Sequence, residues 1–245
     1  MSLPSDFFIG WAGRLPPAQA RWFAAMVASS AACFLLLALT LAQFGTAPEP
    51  GGGSGDEITL HGTLTAQPYP TLTVPAPAGG GIARTVLLSG AGKNAAPFDP
   101  ALAGRTVAAT GYLLRRGTLE MLQVGEPLRP TDAAPSPAPA VPLGTWRITG
   151  EICDGKCLAG AMRPGTGIAH RACANLCVSG GVPPVFVATA KIDGQTDLLL
   201  GDPSGGPLNP RFRTLTALPV TLEGMVERRG NLLVFLPDLS RAQLR

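Results

Sequence analysis

Residues 105–122, RTVAATGYLLRRGTLEML, and residues 218–235, LPVTLEGMVERRGNLLVF, decide the fold. Aligned without a gap, they place Gly111 on Gly224, and Arg115, Arg116 and Gly117 on Arg228, Arg229 and Gly230, at a constant offset of 113. In both copies apolar residues alternate along Val107 to Leu114 and Val220 to Val226. That is the period of a half-buried strand; an Arg-Arg-Gly turn and a second apolar run follow, so each copy reads as a β-hairpin.

A lone hairpin is not stable in water, so each copy needs further strands. Ile58–Leu64 aligns with Trp146–Ile152, placing Gly62 on Gly150, and Val86–Gly90 aligns with Leu198–Asp202. Each copy therefore has four to five strands, for which a small five-stranded Greek-key barrel of the OB type is the economical closure and a small β-sandwich the alternative. The expected fold is mainly β, with two tandem small OB-like barrels. The offset is 88 at Gly62 and Gly150 but 112 at Val86 and Leu198. The second copy thus carries about 24 extra residues between its first and middle strands.

Upstream, Trp22 to Gln43 contains no charged residue and is long enough for the ~20 residues that cross a hydrocarbon core. A transmembrane helix is expected over 22–44. Arg14 and Arg21 precede it and Glu49, Asp56 and Glu57 follow, so the positive-inside rule puts residues 1–21 in the cytoplasm as an N-terminal tail. In that tail Asp6 to Trp11 is apolar and aromatic enough to lie at the membrane interface. A cleaved signal peptide is the competing reading, but the apolar run exceeds a signal core and no clear A-x-A site follows. The expected location is a bacterial inner membrane, single-pass, with the bulk of the chain periplasmic.

The remaining segmentation follows composition. Residues 45–56, GTAPEPGGGSGD, read as a flexible linker, and 130–142, PTDAAPSPAPAVP, as a Pro-rich spacer. They bound a first barrel domain at 57–129 and a second at 143–245. In the whole chain of 245 residues only 14% are charged, and 19 Lys and Arg stand against 16 Asp and Glu. A net charge of +3, without a basic stripe, disfavours nucleic acid as a partner.

Of five cysteines, Cys33 lies in the apolar run, while Cys153, Cys157, Cys173 and Cys177 lie in an insertion at 153–184 of the second barrel. Their pattern is C-x3-C, fifteen residues, C-x3-C, with His170 three residues before Cys173. Three chemistries suit it. Four thiols in an oxidising compartment can staple a loop that lacks its own core, and Cys157 with Cys173 or Cys177 is the useful pairing. Alternatively each C-x3-C, if helical, presents two thiolates on one face, with His170 one turn from Cys173 and Met162 as a soft fourth ligand. That set suits copper or zinc. Thirdly, a reactive thiol pair is possible, with Lys156 and His170 lowering a thiol pKa and Asp154 raising one. His61, in the first strand, reads as a surface residue, although with His170 it could ligate haem or copper.

The string GEI-x-D-x-KC, then G-x-M-x-PG-x-G-x-x-H-x-x-CA-x-x-C-x-x-GG-x-PP, resembles a group of uncharacterised, membrane-anchored bacterial envelope proteins. The resemblance covers the insertion well and the rest of the chain loosely. It implies the envelope compartment and the importance of Cys157, His170, Cys173 and Cys177; it omits Cys153 and supplies no activity. The C-x3-C element is also similar to those of copper chaperones and of the binuclear copper site of terminal oxidases, but Gly180, Gly181 and Pro183 stand where the latter has His or Met.

No Gly-rich phosphate loop, G-x-S-x-G or H-E-x-x-H occurs. The expectation is therefore a non-enzymatic, membrane-anchored periplasmic binding or assembly module, attached to a redox or respiratory system through an envelope protein partner. Its Cys/His insertion is disulfide-stapled or holds copper or zinc. The alternative is a thiol-disulfide or metal-transfer protein acting through Cys157, Cys173 and Cys177.

Overall fold

The computed structural model describes residues 17–44 and 51–245. The interfacial segment expected at residues 6–11 and most of the N-terminal tail lie outside them. Helix α1 spans Pro17–Phe44. Proline is well placed there, since the first turn of a helix has no partner for its N–H. Within α1, Gln19–Gln43 is long and apolar enough to cross a membrane, and an 18-residue window within it has a mean hydropathy of 2.2.

Residues 51–245 form one compact unit built on two closed barrels. The first comprises β1 (Gly52–Thr65), β2 (Thr71–Val74), β3 (Arg84–Ser89), β4 (Thr106–Arg116) and β5 (Leu119–Val124), with β6 (Arg129–Pro130) added at one edge. Strand order β1-β2-β3-β5-β4 closes through β1 against β4, and the β3–β5 pairing alone is parallel. The second repeats this with β7 (Ala140–Asp154), β8 (Pro184–Ile192), β9 (Gln195–Leu200), β10 (Val220–Arg229) and β11 (Leu232–Pro237), and with β12 (Gln243–Leu244) at its edge. Here β7-β8-β9-β11-β10 closes through β7 against β10, and β9–β11 is the parallel pair. This is the OB-like strand order in both copies.

The strand registers match residue by residue. Gly62 faces Val107 in the first barrel and Gly150 faces Val220 in the second. Leu87 faces Met121, and Leu199 faces Val234. The repeated glycines sit where strands nearly touch: a Cβ on Gly111 would lie 2.0 Å from the Gln123 carbonyl oxygen, and one on Gly224 would lie 2.3 Å from that of Leu236. Small barrels curl this tightly only where a strand loses its side chain.

Both proline- and glycine-rich segments are used more than their composition suggests. Strand β1 begins at Gly52, inside the expected linker, because Arg115 and Leu114 at the end of β4 offer Gly52 and Gly53 a backbone ladder. Similarly β6 and β7 take up the two ends of the expected spacer, and its Ser136 N–H donates to Thr63 Oγ1.

Each barrel has its own interior, one around Leu64, Leu72, Val107 and Leu122, the other around Ile152, Phe186, Leu222 and Phe235. A third apolar cluster joins them. Leu87, Leu119 and Met121 of the first barrel pack there with Val185, Leu199 and Val234 of the second, and with Cys153, Cys157, Leu158 and Cys177. The cysteine segment therefore lies between the barrels rather than on the far side of one.

Candidate metal centre

Residues 66–70 join β1 to β2, whereas 155–183 join β7 to β8, a difference of 24 residues that locates the insertion. It opens with a π-helical turn at Cys157–Ala161, passes a 3-10 turn at Ile168–His170, and continues into α2 (Arg171–Ser179). Gly180 ends α2 against the first barrel. A Cβ on Gly180 would lie 1.8 Å from the Lys93 carbonyl oxygen, and the Gly180 carbonyl accepts from Ala95 N–H at 2.7 Å. The Gly-Gly turn thus does more than close the loop: it brings the 90–95 segment of the first barrel onto α2.

The two C-x3-C pairs behave differently. Cys173 and Cys177 stand one turn apart on α2, as helical spacing expects. Cys153 and Cys157 do not share a helix, because Cys153 is still in β7, paired with Val185, while Cys157 opens the π turn. Cys153 is buried, and its thiol donates to the Gly165 carbonyl at 2.5 Å. Burial first, then the adjacent Asp154 carboxylate, push the Cys153 thiol well above its ordinary range.

Cys157, Cys173 and Cys177 converge. Cys157 Sγ lies 3.9 Å from Cys173 Sγ and 3.9 Å from Cys177 Sγ, and the three sulfurs are all within 4.8 Å of one another. All five cysteines are free thiols, so the expected disulfide staple is replaced by a three-thiol cluster. Cys157 and Cys177 are buried, and Cys173 is half-buried.

His170 and Met162 are not in the cluster. Met162 leaves the π turn in extended conformation and is 44% exposed, which removes it as the soft fourth ligand. His170 is buried and turned the other way, with Nε2 2.9 Å from Asp154 Oδ2. The second oxygen of Asp154 accepts the Cys157 N–H at 2.8 Å. Asp154 and His170 therefore orient the turn that carries Cys157; together with Cys153 they form a second, wholly buried group of potential ligands. His61 is an exposed residue of β1.

The unforeseen member is Lys93, 64 residues upstream of Cys157 and in the other barrel. Its ammonium donates to Cys173 Sγ at 2.7 Å and reaches Cys177 Sγ at 3.5 Å. No motif surrounds it, and only the approach of the barrels makes it part of the site. Lys156 is buried beside the same thiols, and its ammonium donates to the Gly90 and Gly92 carbonyls at 2.8 and 2.7 Å.

The electrostatics prepare one sulfur to ionise. A hydrogen bond from Cys157 lowers the Cys177 thiol to about 7, helped by Lys93 and opposed by burial and Asp154. The same bond, with burial, raises Cys157. Lys93 is held protonated chiefly by its bond to Cys173, while burial lowers Lys156 from the ordinary lysine range.

Fold and site together define a pair of OB-like barrels with a three-cysteine, two-lysine centre at their junction. Comparison with protein-family models, curated proteins and solved structures finds no match to this chain.

Proposed function

We propose that the chain is a membrane-anchored, extracytoplasmic module whose Cys157, Cys173 and Cys177 hold one soft metal ion, copper or zinc. The carrying observation is the equal 3.9 Å separation of Cys157 Sγ from its two neighbours. Three sulfurs each about 2.3 Å from a single ion are separated by about 3.8 Å in tetrahedral and 4.0 Å in trigonal geometry. Equal separation favours one shared ion over a particular sulfur pair. Thiolates without competing oxygen ligands select soft ions.

The anchoring part of the reading rests on α1 and on the charge asymmetry around it. The orientation is N-terminus in, in a bacterial inner membrane, with the barrels in the periplasm. An OB-like frame lends no activity of its own, so the role follows from the site. A metal held at the junction of two barrels, with half-buried Cys173 as its outermost ligand, suits custody and delivery of that ion to an envelope redox or respiratory protein.

Thiol-disulfide exchange through the same three cysteines is the second reading. It is favoured by the lowered Cys177 thiol and by Lys93 beside Cys173, since a thiolate near an ammonium is the usual attacking species.

One experiment separates the two. The full chain in detergent, purified with reductant, is titrated with Cu(I) and with Zn(II) in competition with a chromophoric chelator. Binding of one ion per chain, abolished in Cys157→Ser, supports the metal site. Binding no tighter than that of Cys157→Ser, with oxidation yielding a reversible pair among these thiols, overturns it in favour of exchange.

A further inference from the structure

We propose that Lys93, backed by Lys156, shifts the preference of this centre toward a monovalent soft cation, Cu(I) or its analogue Ag(I), and away from divalent Zn(II). The inference rests on the metal reading above and adds the charge of the ion.

Lys93 Nζ lies 2.7 Å from one ligating sulfur, and that sulfur would lie about 2.3 Å from the ion. The ammonium is therefore no more than about 5 Å from the bound ion. Lys156 is 4% exposed and has its ammonium fixed by two carbonyls, so its charge is held beside the centre rather than released to water. Coulomb repulsion scales with the product of the charges, so each ammonium opposes a dication twice as strongly as a monocation at the same position. Against these two cations stands one carboxylate, Asp154, whose oxygens are engaged by His170 and by the Cys157 N–H.

The thiols account for the affinity, and the lysines offset the charge the thiolates would otherwise accumulate. Three thiolates and Asp154 together carry four formal negative charges, and the two ammonium groups reduce this to two. The lysines thereby weaken the pull on a dication twice as much as the pull on a monocation, which moves the balance between the two ions toward the monocation. Lys93 acts through charge and does not ligate, since its ammonium is engaged as a donor to Cys173 Sγ and reaches Cys177 Sγ. It is a specificity-determining residue supplied by the first barrel to a site whose ligands all come from the second, which gives the undecorated copy a role in the chemistry.

The test compares the wild-type full chain in detergent with Lys93→Met and Lys93→Arg, measuring the dissociation constants of Cu(I) and Zn(II) against chelators under reductant. In Lys93→Met the preference for Cu(I) over Zn(II) should fall by about tenfold or more, as expected for removing a charge this close. Lys93→Arg should keep the wild-type ratio. A residue that merely ordered the thiols would alter both affinities together and leave the ratio unmoved. A ratio in Lys93→Met within twofold of wild type, with both ions bound, overturns the selectivity inference alone. Failure of the wild-type chain to bind either ion overturns the metal reading with it.

Discussion

Asp154 Oδ2 and His170 Nε2 meet at 2.9 Å with neither side chain exposed, so the one histidine of the insertion is held by Asp154 and stands apart from the three-thiol cluster. The pair is coupled to the thiols through Asp154, which also receives the N–H of Cys157. Buried polar groups in such a chain are costly to orphan.

Asp154→Ala is therefore expected to leave His170 and the Cys157 N–H without partners and to lower stability by about 3 kcal/mol, the usual cost of breaking a buried pair. Urea unfolding monitored by circular dichroism checks this. His170→Gln, which retains a side-chain amide near Asp154, should cost less and should leave metal stoichiometry unchanged. Loss of the metal in His170→Gln would make His170 a ligand after all.

The four insertion cysteines should divide three to one. Cys157→Ser, Cys173→Ser and Cys177→Ser each remove a sulfur from the cluster and should abolish tight metal binding. Cys153 lies in β7 and is bonded to Gly165, so Cys153→Ser should bind metal like wild type, with a stability change of about 1 kcal/mol from the altered hydrogen bond. Chelator competition on the four variants gives the division directly.

Metal-free protein should show one thiol ionising near neutrality. The folded-state Cys177 thiol titrates at about 7, below the ordinary value of 9.0, so the folded chain releases this proton before the unfolded chain does. Its contribution to stability is fully present above pH 9 and is lost as pH falls through 7. Thiolate absorbance should rise with a midpoint near pH 7, and this rise should be missing in Cys177→Ser. A wild-type midpoint near 9 would show that the Cys157 hydrogen bond does not form.

The barrels should unfold together. Met121 is fully buried in the cluster that joins them, and Met121→Ala should destabilise the chain by roughly 2–5 kcal/mol as a cavity opens in that cluster. Probes in both barrels should report the same shifted transition, whereas separate transitions would mean that the shared cluster does not couple them. Gly180→Ala should be damaging for a different reason, because its methyl carbon would meet the Lys93 carbonyl oxygen at 1.8 Å. Its expected signature is a weakened centre together with a lowered melting temperature.

By itself, the sequence determined the apolar helix, the duplication, the strand hairpins and the place of the insertion. All of these are written in local periodicity or in self-similarity along the chain, and the offset of 113 between Gly111 and Gly224 needed no coordinates to be seen. It also marked Cys157, Cys173 and Cys177 as candidates, though together with Cys153, His170 and Met162. What it did not contain was orientation: helical spacing suits Cys173 and Cys177, but the first C-x3-C straddles the end of β7, which turns Cys153 away and sends His170 to Asp154. Tertiary structure alone brought Lys93 to Cys173 and placed the centre between the barrels. Ligand sets and counter-charges arise where distant backbones approach, at Gly180 against Lys93 for example, and such an approach is set by the packing of Leu87 and Met121 against the second barrel rather than by any pattern near the residues concerned.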